Sequence, residues 1–122
     1  MVVTAEKNKK VGEITFASIY PLYLNKIQKK GRTKEELNSI IKWLTGFDSK
    51  AIDQLINQRL TFNSFFLKAT INPKAHLIKG RICGDKIEEI DPKFYTYKNI
   101  RYLDKMVDEL AKGKSIDKIL RK

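Results

Sequence analysis

The stretch Gly31–Gly46, GRTKEELNSIIKWLTG, constrains this chain more than any other. Thr33 is an N-cap, and Glu36 three residues on completes a capping box, each side chain answering a backbone N–H near the other. Leu37, Ile40, Ile41 and Leu44 recur at i, i+3, i+4 and i+7 and so stack along one face. Trp43 flanks that stripe, with its indole N–H near water. Gly46 supplies the left-handed residue that ends the helix. An amphipathic helix fixed at both ends needs a core to lie on, and the remaining residues must build it.

At 122 residues the chain is long enough for one domain that buries roughly two-thirds of its unfolded surface without staples. Its single Cys and single His leave no internal disulfide and none of the common zinc frameworks. This predicts a cytoplasmic protein with no metal and no cofactor. The apolar residues between Val11 and Leu24 are broken by Gly12, Glu13, Thr15, Ser18 and Pro21, so neither a secretory signal nor a membrane span is expected.

The net charge of +11 is the unusual total, yet only five of the 25 basic residues are Arg. A phosphate-gripping surface often leans on Arg, whose guanidinium pairs two oxygens at once. The excess runs +5 over residues 1–32, 0 over 33–59, +3 over 60–98 and +3 over 99–122, so no single element concentrates it.

In chain order, Met1–Lys10 reads as a polar lead-in, and residues 1–12 as a flexible basic segment before a globular domain at 13–122. Ser18 is read as capping a first helix with Pro21 in its first turn and Ile19, Leu22, Tyr23 and Ile27 inward. Asp48 or Ser49 caps a third helix reaching Arg59, with Ile52, Leu55 and Ile56 inward. Thr61 caps a fourth, in which Phe62, Phe65 and Phe66 are core anchors. Around Gly84-Asp85 the spacing predicts a β-hairpin over about 77–90, pairing Cys83 with Lys86, Ile82 with Ile87 and Arg81 with Glu88. Two strands are marginal alone, so the ribbon should lean on the last long helix. Lys93–Lys98 reads as an aromatic loop, and Asn99 as the start of that helix. There Ile100, Leu103, Val107 and Leu110 point inward; Arg101, Asp104, Lys105, Asp108, Glu109 and Lys112 point outward, with Lys105–Glu109 and Asp108–Lys112 as i,i+4 pairs. Ser115 caps a last turn or two. The fold class is therefore α+β and mainly helical: four to five helices and one antiparallel hairpin.

Chemistry-bearing residues are few. A Lys86 ammonium opposite Cys83 would lower the thiol's pKa, but a nucleophile needs a base and His76 lies at the far end of the same short strand, so Cys83 reads chiefly as a packed structural cysteine. Glu88 and Glu89 alternate across a strand and cannot act as a carboxylate pair. A helix-turn-helix over Thr33–Arg59 fits by spacing, yet the segment carries no net charge for phosphates. Lys93-Phe94-Tyr95-Thr96-Tyr97-Lys98 has the composition of a base-stacking platform, although packing onto the hairpin is the commoner use.

Three blocks, GRTKEELNSIIKWLTGFD at Gly31–Asp48, ICGDKIEEI at Ile82–Ile90 and IRYLDKMVDELAKGKSIDKILRK at Ile100–Lys122, resemble the bacterial proteins grouped as domain of unknown function 2200. FASIYPLY at Phe16–Tyr23 is similar too. The resemblance spans about Thr15 to the C-terminus and implies no particular activity. The function expected is a non-catalytic binding or protein-interaction module, with a protein partner or a homodimer. A nucleic-acid-associated role through dispersed lysines and the aromatic loop is the alternative, and a thiol enzyme or redox sensor at Cys83 a weaker one. The candidate surface comprises Lys26, Lys29, Lys30, Arg81, Cys83, Glu88, Phe94, Tyr95 and Tyr97, with no catalytic, cofactor or metal residues assigned.

Overall fold

The computed structural model describes residues 3–121. Among them the chain forms seven α-helices and one two-stranded antiparallel sheet, so the mainly helical α+β class holds with more helices than expected. In order these are α1 (Ala5–Gly12), α2 (Phe16–Gln28), α3 (Lys34–Thr45), α4 (Ser49–Asn57), α5 (Phe62–Lys68), β1 (Arg81–Ile82), β2 (Asp85–Lys86), α6 (Tyr95–Ala111) and α7 (Ile116–Ile119). Short 3-10 turns occupy Pro73–Leu77 and Ile87–Glu89.

Helix α3 is built as its sequence requires. Glu36 N donates to Thr33 Oγ1 at 3.1 Å, Thr33 N donates to Glu36 Oε1 at 3.0 Å, and Gly46 closes the helix at φ +82°. Leu37, Ile40, Ile41 and Leu44 are fully buried. Caps at Asp48 and Thr61 open α4 and α5. Phe62, Phe65 and Phe66 lie in the core, where Phe16 stacks on Phe65 with ring centroids 4.2 Å apart. Burying each such ring contributes about 1.5–3 kcal/mol.

The long helix α6 is the axis of the molecule: α1, α2, α3, α5, α7 and β1 all pack on it. It begins at Tyr95 rather than Asn99, so the aromatic segment is helical from Tyr95 on. The reason is tertiary. Phe94 gives no side-chain cap, but Asn8 of α1 accepts the Tyr97 N–H at 2.9 Å, and Thr96 donates to Asn63 of α5 at 2.7 Å. Gly12 allows α1 to lie this close: a Cβ there would sit 2.2 Å from Asn63 Oδ1. Ala5–Gly12, read from sequence as part of a lead-in, thus supplies a wall of the fold.

Helix α2 starts earlier than expected. Thr15, not Ser18, is its cap, held by a bridge to Thr61 in which Phe16 N donates to Leu60 O and Phe62 N to Ile14 O. Pro21 consequently lies inside the helix, and the buried face is Phe16, Tyr20, Tyr23 and Ile27. Leu22, assigned inward, is 61% exposed.

The hairpin exists and packs on α6, but it is shorter and its turn comes one residue sooner. Arg81 faces Lys86 and Ile82 faces Asp85 around a Cys83-Gly84 turn. Both turn residues take positive φ, 52° and 82°, as a type I′ hairpin requires. The Cys83–Lys86, Ile82–Ile87 and Arg81–Glu88 pairs therefore do not form; Glu88 instead accepts the Gly80 N–H at 3.2 Å. Asp85 is the cause of the shift, because its carboxylate is drawn inward onto α6. Residues 77–80 precede the strand, with Leu77 in the 3-10 turn.

Candidate functional site

On α6, Tyr97, Arg101 and Asp104 follow at i, i+4 and i+7 and share one face. The hairpin lays Asp85 against that face. Tyr97 Oη donates to Asp85 Oδ2 at 2.6 Å, and Arg101 Nε donates to the same oxygen at 2.9 Å. Arg101 Nη1 reaches Asp104 Oδ2 at 2.7 Å, and Tyr23 of α2 donates to Asp104 Oδ1 at 2.5 Å. The guanidinium also lies 4.7 Å from the Tyr97 ring centroid. Burial opposes the charge of Arg101, but Asp85, Tyr97 and Asp104 hold it more firmly protonated than a free arginine. Burial first, and the neighbouring carboxylates after it, push the Tyr23 and Tyr97 phenols up. Asp85 Oδ1 is buried with no partner among the described residues. This cluster fastens hairpin and α2 to α6; Arg101 and Asp104, assigned outward from sequence, are its centre.

Cys83 is exposed at the edge of this cluster, its Sγ 4.0 Å from Asp104 Oδ2. Burial and then the Asp104 carboxylate raise the thiol's pKa, overriding Arg101 and Lys26. Lys86, which reaches Glu89 at 3.6 Å, is not among the groups that lower this thiol, and the cysteine read from sequence as packed is instead exposed. His76 Nδ1 sits 2.8 Å from Pro73 O.

The other candidates scatter. Lys26 approaches Asp108 at 3.3 Å, which also holds Lys112 at 3.1 Å; Lys29 and Lys30 are exposed at the end of α2. Arg81 and Phe94 line a cavity of about 270 Å³ beside Asp85, and Glu88 is exposed on the 3-10 turn. Tyr97 is buried in the cluster just described. Glu109, expected to pair with Lys105 on the outer face, is instead buried between Arg121 (2.7 and 2.9 Å) and Lys114 (3.1 Å).

Tyr95 stands apart. Its hydroxyl donates to Phe66 O at 3.1 Å, leaving the ring 41% exposed. With His76, Pro92, Lys98, Asn99 and Tyr102 it lines a second cleft of about 270 Å³, whose walls are mainly apolar. Sequence reasoning missed Pro92, Asn99 and Tyr102, because the cleft exists only where the Pro73–Leu77 turn meets the first turns of α6. Among the described residues no group of three or more His, Cys, Asp or Glu side chains could hold a metal ion, and no helix is long and apolar enough to cross a membrane.

Comparison with known proteins places this architecture. A family model described as an uncharacterized protein conserved in bacteria (DUF2200) matches residues 10–121. The crystal structure of uncharacterized protein SP1917 is similar at 35% identity and a TM-score of 0.83, covering 92% of this chain and 91% of that one. No curated protein matches.

Proposed function

The chain belongs to the bacterial DUF2200 family, and we propose that within it the chain serves as a non-catalytic protein-interaction module of the cytoplasm. The observation that carries this reading is the mainly apolar cleft at Tyr95, and large hydrophobic side chains are left in water elsewhere on the surface. Leu67 is 78% exposed and Leu77 39%. An exposed cleft with apolar walls of this kind marks a contact surface. The raised thiol of Cys83 weighs against the redox alternative, since a thiolate is the reactive form.

The test is co-purification. Tagged chain and a Tyr95→Ser variant, both expressed in bacterial cells, are compared by quantitative mass spectrometry. Proteins retained by the first and lost with the second are expected; identical profiles sink the reading.

A second reading, nucleic-acid association, draws on one observation. Lys105, Lys112, Lys114 and Lys118 line an open groove of about 570 Å³, and Lys26 reaches Asp108 at its edge. Lys112 and Lys114 already meet carboxylates there, which reduces the charge left for phosphates. Anisotropy with labelled duplex DNA, single-stranded DNA and RNA across a salt series decides it: binding that persists near physiological salt and falls with Lys26→Ala supports this role.

A further inference from the structure

We infer that the cavity beside the hairpin binds a small zwitterion of the α-amino-acid class, with its ammonium on Asp85 and its carboxylate on Arg81. This cavity shares no lining residue with the Tyr95 cleft, so the inference stands independently of the interaction-module reading. Asp85 separates two environments. Its Oδ2 accepts from Tyr97 Oη and Arg101 Nε, and neither of those residues lines the cavity. Asp85 does line it, and its side chain is only 1% exposed. With Oδ2 turned to α6, Oδ1 is the oxygen on the cavity side, and it has no partner among the described residues. A buried carboxylate oxygen without a donor has lost hydration that nothing replaces. A donor brought in through the cavity would remove that cost.

Arg81 supplies the opposite charge. No hydrogen bond or ion pair among the described residues holds its guanidinium, although Asp85, Glu89 and Asp91 share the cavity wall with it. The other two acids are occupied. Glu89 meets Lys86 at 3.6 Å, and Asp91 accepts the Lys93 N–H at 2.9 Å. The wall therefore offers one unanswered acceptor and one unanswered cation, with Ile90 and Phe94 as apolar surface. At about 270 Å³ the space falls below the roughly 300–1,000 Å³ of drug-sized pockets, so it suits a molecule the size of one residue. A metal ion fits poorly, because among the described residues no three His, Cys, Asp or Glu side chains are placed to hold one. A phosphate would meet three carboxylates, and a simple amine would set its charge against Arg81. A zwitterion answers both groups at once, the guanidinium fork taking its carboxylate.

The experiment is thermal denaturation of the full chain with each common L-amino acid in turn, followed by isothermal titration with the one that stabilises most. Expected is a rise of several degrees with at least one of them, at concentrations well above its Kd. Arg81→Ala should leave the melting temperature of the unliganded chain unchanged, because the guanidinium holds nothing there. It should weaken binding about tenfold or more, the usual loss of a hydrogen bond to a charged group. Two derivatives of the same amino acid test each end of the ligand without a substitution that would disturb the buried cluster. The N-acetyl form lacks the ammonium and the carboxamide lacks the carboxylate; each should bind about tenfold or more weaker than the free amino acid. No stabilisation by any amino acid overturns the inference, as does binding that Arg81→Ala leaves unchanged. Equal binding of the carboxamide would make this an amine site, and equal binding of the N-acetyl form an anion site; either result overturns the zwitterion assignment.

Discussion

The two ends of α6 are fastened by carboxylate–guanidinium contacts of opposite design. Under the hairpin, one cation serves two acids: Arg101 bonds both Asp85 and Asp104, and one Asp85 oxygen has no partner among the described residues. At the other end, two cations serve one acid. Arg121 grips both oxygens of Glu109 and Lys114 adds a third contact, while Arg32 of the α2–α3 loop donates to Leu110 O at 3.2 Å and Lys114 O at 2.9 Å. The first arrangement has a single point of failure; the second shares its load. A buried charge stripped of its only cation keeps its desolvation cost, whereas one left with a second cation does not.

The sharpest way to break this contrast is Arg101→Met, which keeps most of the aliphatic stem. It should destabilise the protein by about 3–5 kcal/mol in urea unfolding, because Asp85 is almost fully buried. A loss under about 1 kcal/mol would show that the cluster is solvated and the asymmetry unreal. Arg121→Ala should cost less, about 1–3 kcal/mol, since Lys114 remains on Glu109. Faster amide exchange confined to α7 would accompany it.

Acid sharpens the same comparison. Burial alone would raise the Glu109 carboxyl, but Arg121 and then Lys114 outweigh it and hold it below the usual range. A lowered folded-state pKa means the unfolded chain binds the proton more readily. Glu109 therefore contributes stability that is present above the ordinary carboxylate pKa of about 4 and is lost as pH falls through the lowered value. Asp108 behaves likewise: burial raises it, and Lys112 and Lys26 lower it further than that. Melting temperatures should drop from pH 5 toward pH 2–3, and Glu109→Gln should flatten the drop. An equally steep profile in that variant would assign the acid sensitivity elsewhere.

The smallest effect expected is at the start of α6. Asn8→Ala removes the acceptor for the Tyr97 N–H and should cost about 1 kcal/mol, the usual value of a helix cap. No change in the denaturation midpoint would mean that water replaces it fully.

How far residues announce such contacts depends on how near their partners lie in the chain. Thr33, Glu36 and Gly46 act within one helix, and α3 is legible from end to end. The Phe62, Phe65 and Phe66 anchors were legible too, since so dense an aromatic cluster has few places to go but the core. Helix starts set from far away were not: Thr61 fixes the entry to α2, and Asn8 and Asn63 fix that of α6. The hairpin turn moved by one residue because Asp85 answers Tyr97 and Arg101. Only the Tyr97, Arg101, Asp104 spacing hinted at that face, and alternating charge made it read as a solvated one. Of the candidate surface, Tyr95 lies in the cleft, but its neighbours His76 and Tyr102 come from segments that local pattern kept apart.

Asn8 and Tyr97 are 89 positions apart, and this separation bears on the order of folding. Closing so long a loop is entropically costly and rewarded only once the intervening helices have condensed. Helix α1 is made before the other described helices, yet the site it caps does not exist until synthesis reaches Tyr97. Docking of α1 should then come after the rate-limiting step, with Asn8→Ala speeding unfolding while leaving refolding nearly unchanged in stopped-flow chevrons. The earliest-made of the described helices would be the last to find its place.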